Sequence, residues 1–271
     1  MKINSELPLC MLDKNNEINE YDFVLFHLYI SNEKYKQYYL NQRVLYPDRL
    51  MIFDNSAYEF FVKGEKLDMD RYVECIKELK PDMYILPDVL MDMNKTLEGT
   101  KSFISKYNIE CSEPLAVLQG QYSYELLNCL MEYKRMGIKN IAIPFHNSFF
   151  KDTGVFAEQD IESEFMEVYD TTNDDILYAM GRVRWMRSHN FLFDDFKHIH
   201  LLGSHCPLEK IFYKDYDTMD TGYPVKLGIK GIEFTKETSK PDVIIDDFLE
   251  TDLNKDIKNL IRDNIIKFKE L

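Results

Sequence analysis

The stretch "RLMIFDNSAYEF" (residues 49–60) brings an apolar run straight onto an acid. Met51, Ile52 and Phe53 have the composition of a buried strand, and Asp54 follows with no spacer. A carboxylate at the lip of a core costs free energy unless it is paired or used. In one reading Asp54 caps a turn or the next helix, as Asp does through its short acceptor side chain. In the other it stands at the C-terminal end of a strand in an α/β fold, where such proteins keep their chemistry. The choice turns on whether the pattern repeats.

It repeats on both sides. "DFVLFHL" (22–28) reads as a strand before it. "DMYILPD" (82–88), "PLAVLQG" (114–120), "KNIAIPF" (139–145), "HIHLLGS" (198–204), "YDTMD" (216–220) and "GIEF" (231–234) read as strands after it. Helical spacing fills the gaps at 33–42, 68–80, 94–107, 123–137 and 207–213, with one or two helices within 158–188 and a terminal helix over 252–271. Eight strands alternating with helices predict a parallel sheet, and over 271 residues they predict a TIM-type (β/α)8 barrel. With no repeat, low-complexity tract or Pro/Gly/Ser linker, residues 1–271 are expected to form a single domain. "KPDVIIDDFLETD" (240–252) reads as a surface segment before the last helix. Neither GxGxxG nor GxxxxGK[ST] occurs, so the usual nucleotide fingerprints are missing.

Composition narrows the partners. Hydrophobic residues make up 45% of the chain, enough for a large core. The formal net charge of −14 repels nucleic acid at long range unless basic residues gather on one face. Five scattered cysteines without a CxxC exclude a disulfide framework and a structural zinc pattern, and reduced thiols suggest a cytoplasmic location. The first twenty residues carry no long apolar segment, so no export signal is expected, and no run approaches the length of a membrane span. No cofactor is expected.

Residues at the C-terminal ends of the predicted strands form the candidate site. They are Asp54, Asp88, Gln119, Gly120, the Pro144–His146 segment, Gly203, Ser204, His205 and Asp220. The ordered segments "DNSAYEF", "LPDVLMD", "AVLQGQ", "IAIPF", "HLLGSHCP" and "DTMDTGYP" resemble, from about residue 50 to 228, those of the tRNA-guanine transglycosylases and of their relatives that insert 7-deazaguanine bases into DNA. The resemblance implies a base-exchanging glycosyl transferase. It implies Asp220 as nucleophile on the sugar C1′ and Asp54 as acid/base for the leaving and entering base. It also implies Asp88 and Gln119 as readers of the base edge, and Gly120 and Gly203 as places where a flat ring approaches the backbone. The chemistry is coherent, since a carboxylate can trap the oxocarbenium-like state formed when a base leaves a sugar. The family's Ser-Gly-Gly is Asn55-Ser56-Ala57 here, its Gly-Gly is Ile143-Pro144, and its CxCxxC zinc site has no counterpart. These departures point away from tRNA and toward DNA or a nucleoside, as in compact phage-type relatives. The implied partners are thus nucleic acid or nucleoside and a modified purine-like base, with no membrane and with room for a homodimer.

Other features stay open between two readings. His198, His200 and His205 with Cys206 could hold the metal of a hydrolase, or be a polar strand start. Arg182, Arg184 and Arg187 in "GRVRWMR" (181–187) could contact a phosphate, or form a salt-bridged helix face. "YKQYYL" and Phe149-Phe150 read as core or lid, or as a base-stacking platform. A metal-dependent hydrolase and a non-catalytic binding barrel are the competing functional classes.

Overall fold

The computed structural model describes residues 1–145, 174–204, 207, 209–213, 215–235, 238 and 252–271, with 174–179 described by their backbone alone. His146, Phe149-Phe150, His205, Cys206, the 158–173 part of the mixed stretch and nearly all of the 240–252 segment lie outside the described residues. The strands are β1 (Lys2–Ser5), β2 (Asp22–Leu25), β3 (Met51–Asp54), β4 (Met83–Ile85), β5 (Glu113–Val117), β6 (Asn140–Pro144), β7 (His198–Leu202) and β8 (Thr218–Thr221). The helices are α1 (Asn15–Ile18), α2 (Phe26–Ser31), α3 (Glu33–Leu45), α4 (Ala57–Lys63), α5 (Met69–Leu79), α6 (Met93–Lys106), α7 (Ser123–Arg135), α8 (Asp174–Ser188), α9 (Glu209–Phe212), α10 (Tyr223–Ile229) and α11 (Lys255–Glu270). The eight strands form one sheet in the order β1-β8-β7-β6-β5-β4-β3-β2. Its strand pairs are parallel, as in β2–β3, where Asp22 lies opposite Met51 and Leu25 opposite Asp54. Parallel strands alternating with helices give the (β/α)8, TIM-type α/β fold. No described helix is long and apolar enough to cross a membrane.

The chain divides into two compact units. One comprises residues 1–20, 144–194 and 200–271, and the other residues 21–143 and 195–199. In the second unit α5 shows how sequence makes structure. Asp68 caps it by accepting from the Arg71 N–H at 3.0 Å, and Tyr72, Val73, Cys75, Ile76 and Leu79 recur at helical spacing on its buried face. Tyr72 stacks on Phe53 with ring centroids 5.3 Å apart. Its hydroxyl donates to the carbonyls of Phe53 and Ile85, at 3.1 and 2.8 Å, tying β3 to β4. Tyr133 of α7 donates likewise to Val117 of β5 at 2.9 Å.

In the first unit Leu7, Met11 and Ile18 pack with Val225 of α10 and Ile261 and Ile265 of α11. The α10–α11 crossing is close because of Gly228. A Cβ there would lie 2.5 Å from Ile261 Cγ1 and 2.9 Å from its backbone nitrogen. Gly228→Ala is therefore expected to lower stability by about 1–3 kcal/mol through overpacking. Chemical denaturation reads this directly, and an unchanged midpoint would mean that the two helices part at little cost.

The eighth strand is not where the sequence suggests. "GIEF" is irregular, and its place in the count is taken by β1 at Lys2–Ser5. Residues 26–28, read as strand, begin α2 instead.

Candidate active site

In the first unit the central group is Asp220 on β8, buried with 5% of its surface exposed. Its Oδ1 accepts from His200 Nε2 at 3.0 Å and from the Gly203 backbone N–H at 3.2 Å. Glu6 follows the neighbouring β1, its N–H donating to the Thr221 carbonyl at 3.3 Å. Thr218 Oγ1 lies 2.8 Å from His200 Nδ1. Donation from that hydroxyl leaves the ring proton on Nε2, facing Asp220. Burial, reinforced by the charge of Arg182, pushes His200 down to about 3. The imidazole is therefore neutral at ordinary pH, and its contact with Asp220 is a hydrogen bond rather than an ion pair. Burial pushes Asp220 the other way, up to about 6, against the lowering effects of the Gly203 N–H, Glu6 and Arg182.

The Gly203 N–H is aimed by a buried ion pair. Arg182 of α8 donates Nε to Glu209 Oε1 at 3.0 Å, Nη1 to the Leu202 carbonyl at 3.2 Å and Nη2 to the Gly203 carbonyl at 3.0 Å. Ser204 Oγ donates to the other Glu209 oxygen at 3.0 Å. The Arg182 guanidinium lies over the Tyr213 ring at 5.3 Å. This network fixes the turn after β7, where Gly203 has φ +66°. That conformation strains any residue with a Cβ.

Several site expectations change here. Arg182 has no exposed surface and its donors serve Glu209 and two carbonyls, so it is no phosphate contact. Arg184 is half-buried, and Arg187 is exposed over the Phe212 ring at 5.0 Å, so the three arginines form no single cationic face. Gly203 does not open the backbone to a flat ring, because Phe145 occupies the space, 2.4 Å from where a Cβ would stand. Gly120 likewise gives its space to Glu125 of α7, 2.6 Å from a Cβ position. His200 is committed to Thr218 and Asp220, and His198 is half-buried at the start of β7. Among the described residues no three His, Cys, Asp or Glu side chains could hold a metal ion.

In the second unit Asp54 ends β3, while β4 stops at Ile85, short of the Asp88 read as its end. Asp54 Oδ2 accepts from the Ser56 N–H at 2.7 Å, which bends the chain so that Ser56 takes a left-handed φ of 57° before α4. Ser56 Oγ accepts from the His27 N–H at 3.1 Å and meets His27 Nδ1 at 2.9 Å. Asp88, three residues past β4, lies between two amides. Asn55 Nδ2 donates to its Oδ1 at 2.8 Å, and Gln119 Nε2 donates to its Oδ2 at 2.7 Å. Asn55 also donates to the Leu86 carbonyl at 2.9 Å, and Gln119 Oε1 accepts from the Met91 N–H at 3.0 Å. Loss of water raises the Asp88 carboxyl above its ordinary range, and the two amide bonds offset only part of that rise. The two amides fix the carboxyl by donating one hydrogen bond to each of its oxygens.

Sequence reasoning named Asp88 and Gln119 but gave no role to Asn55, and it gave none at all to Glu6, Glu209 or Thr218. The bracket around Asp88 joins residues 33 positions apart, which no local pattern reveals. A buried Asn beside an Asp at a strand end was the available signal. Compared with protein-family models and with curated proteins, the chain matches none of them.

Proposed function

We propose that the protein is a glycosyl-transferring base-exchange enzyme, replacing a purine by a 7-deazaguanine-type base in DNA, RNA or a nucleoside. Asp220 attacks the sugar C1′ through a carboxylate oxygen. The bond from C1′ to the base nitrogen breaks, and its electron pair leaves with the base. Asp54 supplies the proton that neutralises the departing base. The entering base loses its own proton to Asp54 and attacks C1′, which frees Asp220. Asp88 and Gln119 offer acceptors and an amide to the base edge, a set that suits the mixed donors and acceptors of a purine.

The observation that carries this reading is the state of Asp220. A carboxylate kept in the core, beside a neutral histidine and a backbone N–H and with no cation bonded to it among the described residues, costs stability unless it is used. Burial also suits a nucleophile, because a poorly hydrated carboxylate attacks more readily. The order of the strand-end segments adds the resemblance to base-exchanging enzymes. DNA is the preferred polymer, since the departures from the family's pattern lie where the tRNA enzymes have glycines and zinc ligands.

The test is incorporation of labelled guanine or a 7-deazaguanine analogue into DNA, tRNA and free nucleoside by the intact chain, followed by digestion and mass spectrometry. Label in one class of acceptor supports the proposal and names the substrate. Label in none, from protein with native melting behaviour, ends it.

A further inference from the structure

Asn55 has no part in the scheme above. It directly follows β3, and only 1% of its surface is exposed. Two backbone partners fix which end of its amide points where. The Ala57 N–H can only donate, so the 2.8 Å contact with it belongs to Oδ1. The Leu86 carbonyl can only accept, so the 2.9 Å contact with it belongs to Nδ2. The other Nδ2 hydrogen is then directed at Asp88 Oδ1, 2.8 Å away.

The same reasoning holds on the far side of Asp88. The Met91 N–H at 3.0 Å takes Gln119 Oε1, so Gln119 meets Asp88 Oδ2 with an N–H, at 2.7 Å. Each Asp88 oxygen therefore faces a donor whose polarity is set by the backbone and not by Asp88. Asn55 also ties together the ends of two paired strands, since Leu86 directly follows β4.

We infer that Asn55 is a positioning residue for Asp88, fixing its carboxyl as a hydrogen-bond acceptor so that the site selects a ligand edge made of N–H donors. This rests on the proposed role of Asp88 as a reader of the base edge. A purine of the guanine type brings such an edge, a ring N–H beside an amino group. Adenine brings a ring nitrogen that accepts where guanine donates. A loosely held amide or hydroxyl could turn to suit either base. A carboxylate gripped by two backbone-anchored amides cannot.

The experiment measures binding of labelled guanine and labelled adenine by equilibrium dialysis, with denaturant unfolding of the same whole-chain proteins. Asn55→Asp keeps the acceptor for Ala57 and turns the donor facing Asp88 into an oxygen. Stability should fall, and the preference for guanine over adenine should shrink about tenfold or more. Asp88→Asn should lose both as well, because its N–H end meets a donor of Asn55 or of Gln119 whichever way the amide turns. Combining Asn55→Asp with Asp88→Asn restores an amide–carboxylate bond of reversed polarity. That double variant should regain part of the stability and none of the guanine preference. In base exchange, Asn55→Ala should raise KM for the entering base and leave kcat nearly unchanged. If Asn55→Asp does not fold, the alanine and double variants decide. Native guanine preference in a folded Asn55 variant, or its return in the double variant, would overturn the inference and leave Asn55 a structural tie. Coupled stability at positions 55 and 88 with no guanine binding by the native chain would instead uphold the clamp and remove the base-reading role beneath it.

Discussion

Asp220→Asn is expected to melt at a higher temperature than the native chain at about pH 8 while losing base exchange. The native carboxyl titrates at about 6. An unfolded Asp titrates near ~3.9. Between those values the folded protein holds a proton that the unfolded chain has released, so this group's contribution to stability falls as pH rises through the window. Above it the native state bears the full cost of a buried carboxylate, on the order of 2–3 kcal/mol. Asparagine has nearly the same shape and no charge. Its oxygen can accept from His200 and Gly203 as Asp220 does. The variant should therefore gain several degrees in melting temperature, at roughly 2–4 °C per kcal/mol. Exchange should fall by roughly 10⁴ or more, because an amide is a poor nucleophile.

His200 works in the opposite sense. Its folded value of about 3 lies below the unfolded one, so the unfolded chain takes up a proton first as pH falls. Stability from His200 is therefore complete above ~6.5 and declines below it. In the native chain the Asp220 gain and the His200 loss oppose each other on acidification from about pH 6 to pH 4. In Asp220→Asn the His200 loss stands alone, so stability should decline with acid throughout that range. Melting curves across pH check both claims. A variant less stable than the native chain at about pH 8 would show that the carboxylate is structural.

Arg182→Met should cost about 3–5 kcal/mol, the penalty for leaving a buried charge without its partner. Glu209 is fully buried and would keep the neutral Ser204 and Tyr213 hydroxyls near its carboxylate. The carbonyls of Leu202 and Gly203 would also lose their donors. Arg182→Met combined with Glu209→Leu should recover part of the loss, because replacing a whole buried pair by apolar residues is often close to neutral. It should not recover the Gly203 geometry, so exchange should remain impaired after stability returns. A double-mutant cycle in denaturant measures the coupling. A single-variant loss below about 1 kcal/mol would contradict the buried-pair description.

The fold class was legible because most strands announce themselves as short apolar runs, and "LMIFD" ends at Asp54 in the structure as read. β1 was not legible. Two of its four residues are the buried polar Asn4 and Ser5, which hydropathy assigns to the surface. "GIEF" has the look of a strand, but the Asn264 side chain takes the ladder's place. It accepts from the Phe234 N–H at 2.8 Å and donates to the Ile232 carbonyl at 2.9 Å. The strand-end acids were readable from position. What surrounds them was not, because Glu6, His200 and Glu209 reach the same neighbourhood from separate elements. Missing β1 concealed Glu6 altogether. "GRVRWMR" read as a cluster of cations, yet helical spacing puts Arg182 on the buried face with Trp185 and Met186. Asp54 meets the plainer of its two readings in its backbone, since Oδ2 shapes the turn through Ser56.

The central claim is a covalent bond to Asp220, and intact-protein mass spectrometry tests it most directly. The native chain is incubated with a guanine-containing oligonucleotide, quenched in acid and digested. The account predicts a mass gain equal to the oligonucleotide less its base, carried by the peptide that contains Asp220 and absent from Asp220→Asn. A gain on another residue, or none from a chain that exchanges labelled base, would contradict it.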